Sequence, residues 1–178
     1  PQEWYFENDE WEWTTATLTR DGGDFYLNVT CEKQVSDEEL QTENGMVLGA
    51  DLNVTGPFIA TSTGEFIGSA DQLNHWRNEY EKTRGGLQEC GTQSAHNTLQ
   101  SVSGSFTEDS RQWLYERANE LVEHAVERGV DGIVFEDLDG IRERMSDDKK
   151  FQQWAFGKIV EFVTYKAKEH GIFVDDVP

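Results

Sequence analysis

The sequence predicts an α/β protein in which a mixed sheet carries flanking helices and a small antiparallel β unit comes first. Two continuous apolar runs, at residues 46–50 and 132–135, are bounded by glycine and polar residues. Runs of this length and setting are typical of strands buried on both faces of a sheet. Between and after them, apolar residues recur at helical spacing, as on helices that pack against a sheet.

The first 33 residues have a different pattern, rich in aromatic residues and threonine. Trp11, Trp13 and Thr15 alternate with polar neighbours, and the turn sequence Asp-Gly-Gly-Asp at 21–24 leads into the apolar segment 25–29. This pattern indicates two antiparallel strands joined by a tight turn.

A polar and acidic stretch follows the predicted hairpin and indicates a linker. We therefore expect two domains. Residues 1–42 form the β-rich segment with its linker, and residues 43–178 form the sheet-and-helix domain.

The second domain has a recognisable order of predicted elements. They are strands at 46–53, 56–62 and 65–68, a helical region at 71–102, a helix from Ser105 to Gly129, a strand at 131–136, a helix from Ser146 to His170 and a strand at 172–175. Gly85-Gly86 predicts that the first helical region is broken into two pieces. Ser105-x-x-Glu108 has the form of a capping box, which favours a helix start at Ser105.

Two helices carry candidate core stripes. The first stripe is Leu114, Ala118, Leu121 and Ala125, and the second is Trp154, Phe156, Ile159, Val160 and Val163. Both have helical spacing, and we interpret the second as core packing rather than as a base-stacking surface. His124 lies beside the first stripe and is expected at the edge of the core.

Two acidic residues close the two apolar runs. Asp51 follows Met46-Val47-Leu48-Gly49-Ala50, and Glu136 follows Gly132-Ile133-Val134-Phe135. A carboxylate at the end of a buried strand is held on rigid backbone, and two such acids can share a divalent cation. Taken singly, each acid could instead mark an ordinary turn after its strand, and only the fold can bring them together across 85 positions.

The segments around these acids resemble a known family in several ordered motifs. They are Val47-Leu48-Gly49-Ala50-Asp51-Leu52-Asn53, Phe58-Ile59-Ala60-Thr61-Ser62-Thr63-Gly64-Glu65, Ile133-Val134-Phe135-Glu136-Asp137-Leu138-Asp139-Gly140-Ile141, Tyr165-Lys166-Ala167 and Gly171-Ile172-Phe173-Val174. The series resembles the RuvC-like nuclease domain of TnpB (OrfB) transposon-associated proteins, relatives of the type V CRISPR effectors. It runs from about residue 12 to the last residue, and the stretch 87–96 is similar to the haloarchaeal branch.

The resemblance implies an RNase H-like (RuvC) fold, in which the first and fourth strands of the sheet are neighbours. It implies that Asp51 and Glu136 are catalytic and bind Mg²⁺ or Mn²⁺. The activity implied is RNA-guided, metal-dependent cleavage of DNA by a protein of transposon origin, with guide RNA and target DNA as partners. The leading hairpin would belong to the wedge domain of such proteins.

The sequence also departs from the family pattern at its end. In the family a Thr-Ser pair, four zinc-binding cysteines and a third catalytic Asp follow the Val-Pro that here stands at residues 177–178. We therefore expect this chain to be a fragment that lacks the zinc ribbon and the third acid. Zn²⁺ is expected only in the missing segment, and little or no cleavage is expected from the fragment alone.

Two other functions stay open on the sequence. One is a non-catalytic nucleic-acid-binding or regulatory remnant of the same family. The other is a carbohydrate-active enzyme that uses Asp51 and Glu136 as an acid pair, which would require a groove with exposed aromatic residues and no metal.

The charge balance is strongly acidic, with 35 Asp and Glu against 15 Lys and Arg and a net charge of −20. This is the wrong sign for an ordinary nucleic-acid enzyme. Acidic residues scattered along the whole chain are typical of halophilic proteins, whose self-repulsion is screened where the Debye length is about 3 Å. We therefore predict a high-salt archaeal cytoplasm.

The densest basic patch comprises Arg142, Arg144, Lys149 and Lys150. It is a candidate phosphate contact or an ordinary set of surface ion pairs. Cys31 and Cys90 form no C-x-x-C pair and are expected to be free, buried thiols. No segment approaches the roughly 20 apolar residues needed to cross a bilayer, so no membrane contact is expected.

Overall fold

The computed structural model of the chain describes residues 7–34, 45–136 and 150–177. The chain divides into two compact units, Pro1–Glu39 and Leu40–Pro178. None of the described helices is both long enough and apolar enough to cross a membrane.

The first unit contains the predicted antiparallel hairpin. Strand β1 (Glu12–Asp21) pairs with β2 (Asp24–Glu32), and Asp21 lies opposite Asp24. The two residues between them, Gly22 and Gly23, have φ values of 57° and 102°. Two-residue hairpin turns need such positive φ values, which glycine adopts without steric cost.

The second unit is built on a five-stranded mixed sheet. Its strands are β3 (Val47–Leu52), β4 (Pro57–Thr61), β5 (Phe66–Ser69), β6 (Gly132–Glu136) and β7 (Phe173–Val177). Their order across the sheet is β5-β4-β3-β6-β7. Strands β3, β4 and β5 are antiparallel neighbours, whereas β6 is parallel to both β3 and β7. The first and fourth strands of the sheet are therefore adjacent, as predicted.

In the described part of the chain, three helices accompany the sheet: α1 (Ala70–Cys90), α2 (Gln93–Arg128) and α3 (Lys150–Glu169). The predicted interruption at Gly85-Gly86 is wrong, because α1 continues through both glycines. The break comes at Gly91, whose φ of 60° ends α1, and at Thr92, whose side chain accepts a hydrogen bond from the Ala95 amide. A glycine inside a helix costs only about 1 kcal/mol, whereas a left-handed residue followed by a capping hydroxyl stops one helix and starts another.

The capping box predicted at Ser105 is also wrong, since Ser105 and Glu108 lie inside α2. The first half of α2 is fixed instead by contacts with α1. Tyr80 stacks on Phe106 with ring centroids 4.4 Å apart, and its hydroxyl lies 2.8 Å from Ser103 Oγ. These contacts hold the helix on both sides of Ser105, and its capped start lies at Thr92, so the Ser-x-x-Glu pattern at 105–108 is coincidental. The predicted end at Gly129 is confirmed, with φ of 62°.

The core of the second unit lies between the sheet and the helices. Leu114, Ala118, Leu121 and Ala125 are all buried on α2, as predicted. On α3, Phe156, Ile159 and Val163 are buried, while Trp154 and Val160 pack at the core margin. Phe58 of β4 joins the two helices, with its ring centroid 5.2 Å from Trp113 and 5.9 Å from Phe156.

Two predicted boundaries at the end of the chain need adjustment. The predicted helix start at Ser146 lies outside the described residues, which resume at Lys150 with α3. The last strand covers residues 173–177 rather than 172–175. It extends two residues further because its backbone continues to pair with β6 as far as Val177 opposite Glu136.

Candidate active site

Asp51 and Glu136 occupy equivalent positions on two neighbouring parallel strands. The register of β3 against β6 runs from Val47 opposite Gly132 to Ala50 opposite Phe135. Asp51 and Glu136 each stand one residue beyond the last of these pairs. The structure therefore brings the two predicted site residues to the same edge of the sheet.

The two carboxylates also belong to the same face of the sheet. Leu48 and Ala50 of β3 are buried, and so are their partners Ile133 and Phe135. Successive side chains on a strand point to opposite faces, so Asp51 and Glu136 lie on the face away from these four residues. Asp51 is half-buried and Glu136 is exposed.

The backbone leading to Asp51 is fixed on both sides. Strand β3 pairs with β6 on one side and with β4 on the other, where Asp51 stands opposite Ala60. Two residues earlier, the Gly49 amide donates to Ser62 Oγ at 3.1 Å, and the Ser62 amide donates to the Gly49 carbonyl at 2.8 Å. A carboxylate on so constrained a strand is positioned more precisely than one on a loop.

The register of the parallel strands is fixed at their other end by Asp131, a residue that the sequence pattern did not single out. The Met46 amide donates to Asp131 Oδ2 at 3.0 Å, and the Asp131 amide donates to the Met46 carbonyl at 2.9 Å. The Phe173 amide donates to the Asp131 carbonyl at 3.0 Å. One residue thereby aligns the starts of β3, β6 and β7, and with them the positions of Asp51 and Glu136.

The donor set at this edge suits a hard divalent cation. Carboxylate oxygens are the ligands that Mg²⁺ and Mn²⁺ prefer, and two of them leave coordination positions for water or phosphate. Within residues 7–34, 45–136 and 150–177, no group of three or more His, Cys, Asp and Glu side chains is arranged to hold a metal ion. The residues present fit an open, two-carboxylate site.

The predicted basic patch is mostly outside the described part of the chain. Arg142, Arg144 and Lys149 fall there, so their placement relative to Asp51 and Glu136 is not described. Lys150 is the first residue of α3 and is exposed.

His124 lies at the edge of the core, as predicted. Its Nε2 accepts a hydrogen bond from Arg128 Nε at 2.9 Å and lies 2.9 Å from Thr63 Oγ1. It borders a cavity of about 250 Å³ that the sequence pattern did not reveal, because Glu65 precedes β5 whereas the other lining glutamates lie on α2. Four glutamates line that cavity: Glu65, Glu120, Glu123 and Glu127.

Both cysteines are free, as predicted, but the expectation that both are buried is wrong. Cys31 is half-buried and Cys90 is exposed. Cys90 is the last residue of α1, and at that end of the helix it is exposed to solvent rather than packed in the core.

The sheet order, the parallel β3–β6 pair and the flanking helices define an RNase H-like fold of the RuvC type. No family model and no curated protein sequence matches the chain. Several solved structures share its fold, among them two that contain Cas12f. The Cas12f1–sgRNA–target DNA complex matches over 90% of this chain at 12% identity with a TM-score of 0.55, and the CRISPR–Cas12f ternary complex over 89% at 16% identity with a TM-score of 0.56. The match covers 41% and 34% of those two chains, respectively.

Proposed function

We propose that this chain is the RuvC-like nuclease domain of an RNA-guided, metal-dependent DNA endonuclease of transposon origin, of the TnpB (OrfB) type. The observation that carries the proposal is the common register and common face of Asp51 and Glu136. The fold shared with two Cas12f proteins supports it. A turn-forming role for the two acids would not require them to meet on adjacent strands.

Asp51 and Glu136 would hold Mg²⁺ or Mn²⁺ through their carboxylate oxygens. A bound ion at such a site activates water and offsets the negative charge that develops on a scissile phosphate. The protein's own contribution is positional, because hydrogen bonds on both sides of β3 hold the Asp51 backbone in place. The neighbouring strand β6 presents Glu136 at the matching position.

The proposed partners are a guide RNA and a target DNA. One of the two similar structures is a complex with sgRNA and target DNA. Guide pairing would read the DNA sequence, while the protein contacts the backbone. The net charge of −20 repels a polyanion at low salt, so we further propose that the protein works in a high-salt archaeal cytoplasm, where that repulsion is screened.

The test is cleavage of DNA by the complete product of the gene that encodes this chain, supplied with the RNA that it binds. We expect Mg²⁺- or Mn²⁺-dependent cleavage that Glu136→Ala abolishes. Glu108→Ala, at an exposed position on α2, is the matched control and should cleave normally. Equal cleavage by both variants would show that Glu136 is not part of the active site.

A non-catalytic remnant of the same family is the second candidate. This candidate is favoured because the described residues include no group of three or more His, Cys, Asp and Glu side chains that could hold a metal ion. Such a remnant would bind RNA or DNA without cleaving it under any metal condition. Metal-independent hydrolysis of a polysaccharide would instead support the carbohydrate-active alternative.

A further inference from the structure

A pair of aromatic rings joins α2 and α3, and a cation lies over each ring. Tyr115 and Phe162 meet edge to face, with centroids 5.5 Å apart and planes at 81°. Lys166 Nζ lies 3.9 Å from the centre of the Tyr115 ring, and Arg111 Cζ lies 5.9 Å from the centre of the Phe162 ring. We call these four residues the cation–aromatic patch.

Among the described residues, no carboxylate lies within ion-pair distance of either cation of the patch. Acids outnumber bases by 35 to 15 in this chain, and Arg84, Arg117 and Lys158 each form an ion pair with a glutamate one helical turn away. Neither Arg111 nor Lys166 forms an ion pair with any carboxylate in the described ranges. An aromatic ring attracts a cation without cancelling its charge, so the patch keeps its positive charge.

The patch is also held in place and open to solvent. Phe162 is 8% exposed and anchors the ring pair in the core, while Tyr115 and Lys166 are half-buried and Arg111 is exposed. A long cationic side chain held against a ring loses less conformational entropy on binding than one that extends freely into water. The patch therefore presents two positive charges on the rigid surface of two packed helices.

We propose that Arg111 and Lys166 bind phosphate groups of a nucleic-acid strand. The assignment of the anion as nucleic acid rests on the proposed function, whereas the uncancelled charge is independent of it. Lys166 lies 16 residues beyond Lys150, the first residue of α3, which is about 24 Å along the helix. The patch is thus distinct from Lys150, the member of the predicted basic patch that lies in the described part of the chain.

The experiment compares two double variants with the same change of charge. Arg111→Gln/Lys166→Gln removes the two cations of the patch, and Lys82→Gln/Arg84→Gln removes one Lys and one Arg from the surface of α1. Binding of a labelled single-stranded oligonucleotide is followed by fluorescence anisotropy without divalent metal. The KCl series is limited to concentrations at which the circular dichroism spectra of all variants match that of the parent.

We expect the patch variant to weaken binding roughly tenfold and the α1 variant to change it much less. The slope of log K against log [KCl] should fall by about 1.4 for the patch variant, from two lost phosphate contacts at about 0.7 each. Arg111→Lys/Lys166→Arg keeps both charges and should keep the parent slope. This last variant separates a loss of charge from a disturbance of helix packing.

Equal weakening by the two neutralised variants, or none by the patch variant, would overturn the proposal. So would a self-associated state, seen by sedimentation velocity, that only the patch variant dissociates, because the patch would then bind acids of a second copy. The binding assay contains no divalent metal, so its result does not depend on whether Asp51 and Glu136 hold a metal ion. The experiment therefore tests the assignment of the patch separately from the assignment of the metal site.

Discussion

Gly132 on β6 lies directly against the Phe173 ring on β7, which leaves no room for a side chain. A Cβ at this position would clash with three ring carbons of Phe173. We expect Gly132→Ala to lower the free energy of unfolding by about 1–3 kcal/mol, the usual cost of overpacking. Chemical denaturation followed by circular dichroism measures the change.

The matched control for Gly132 is Gly104, which lies inside α2 and has open space within 4 Å of the place that a Cβ would take. Gly104→Ala should raise the free energy of unfolding by about 0.5–1 kcal/mol, because alanine favours helix over the unfolded chain. Destabilisation by Gly104→Ala, or tolerance of Gly132→Ala, would contradict the packing described for these two positions.

At the residue scale, the sequence predicted some positions well and missed others. The placement of Asp51 and Glu136 near the ends of β3 and β6 was predictable, because an acid that closes an apolar run stands out along the chain. Asp131 was not, since its carboxylate accepts from the amide of Met46, 85 residues away. A contact of that range leaves no local pattern, and an acid just before a strand is unremarkable in the sequence.

The start of α2 gives a prediction at the scale of the element. Thr92→Ala removes the side chain that accepts from the Ala95 amide and should lower the free energy of unfolding by about 1 kcal/mol. Ser105→Ala, at an exposed position inside the helix, should leave it unchanged or raise it by up to about 0.5 kcal/mol. The order of the two effects, measured by thermal or urea unfolding, decides where α2 begins. If Ser105→Ala lowered the free energy of unfolding more than Thr92→Ala, the helix start predicted at Ser105 would be supported instead.

Strands were easier to predict here than helix boundaries. The strands β3 and β6 are short apolar runs with polar residues at both ends, so the sequence marks them to about one residue at each end. The first half of α2 has little apolar periodicity, and Tyr80 and Phe106 stabilise it through a contact between helices. Local capping patterns cannot report such a contact, which is why the boundary was misplaced at Ser105.

At the scale of the whole molecule, the charge of −20 predicts how stability depends on salt. Screening at molar KCl removes self-repulsion, so the melting temperature should be higher in about 2 M KCl than in about 0.1 M KCl. Sucrose at equal osmolality is a suitable control, because it favours the folded state without screening charge. An equal or lower melting temperature in KCl would contradict the halophilic interpretation.

The strand order came from the family resemblance rather than from the hydrophobic pattern. The hydrophobic pattern predicts the order of strands and helices along the chain, but it does not predict that β3 pairs with β6. That adjacency depends on the crossover connection through the helices and on the long-range pairing of two parallel strands. It is also the feature that turns two separate acids into one candidate site.

The most direct test of the proposed site is to locate bound Mn²⁺ by NMR. Bound Mn²⁺ is paramagnetic and broadens the amide signals of nearby residues in the ¹⁵N-labelled chain. Two carboxylates make an open site, so we expect binding in the roughly millimolar range. The signals of Asp51, Glu136 and their strand neighbours Ala60 and Val134 should broaden first. Asp51→Asn/Glu136→Gln should remove this effect, whereas Asp109→Asn/Glu108→Gln, an equal change of charge on α2, should preserve it. Broadening centred on the glutamates that surround His124, or unchanged in the Asp51→Asn/Glu136→Gln variant, would contradict the assignment of the site.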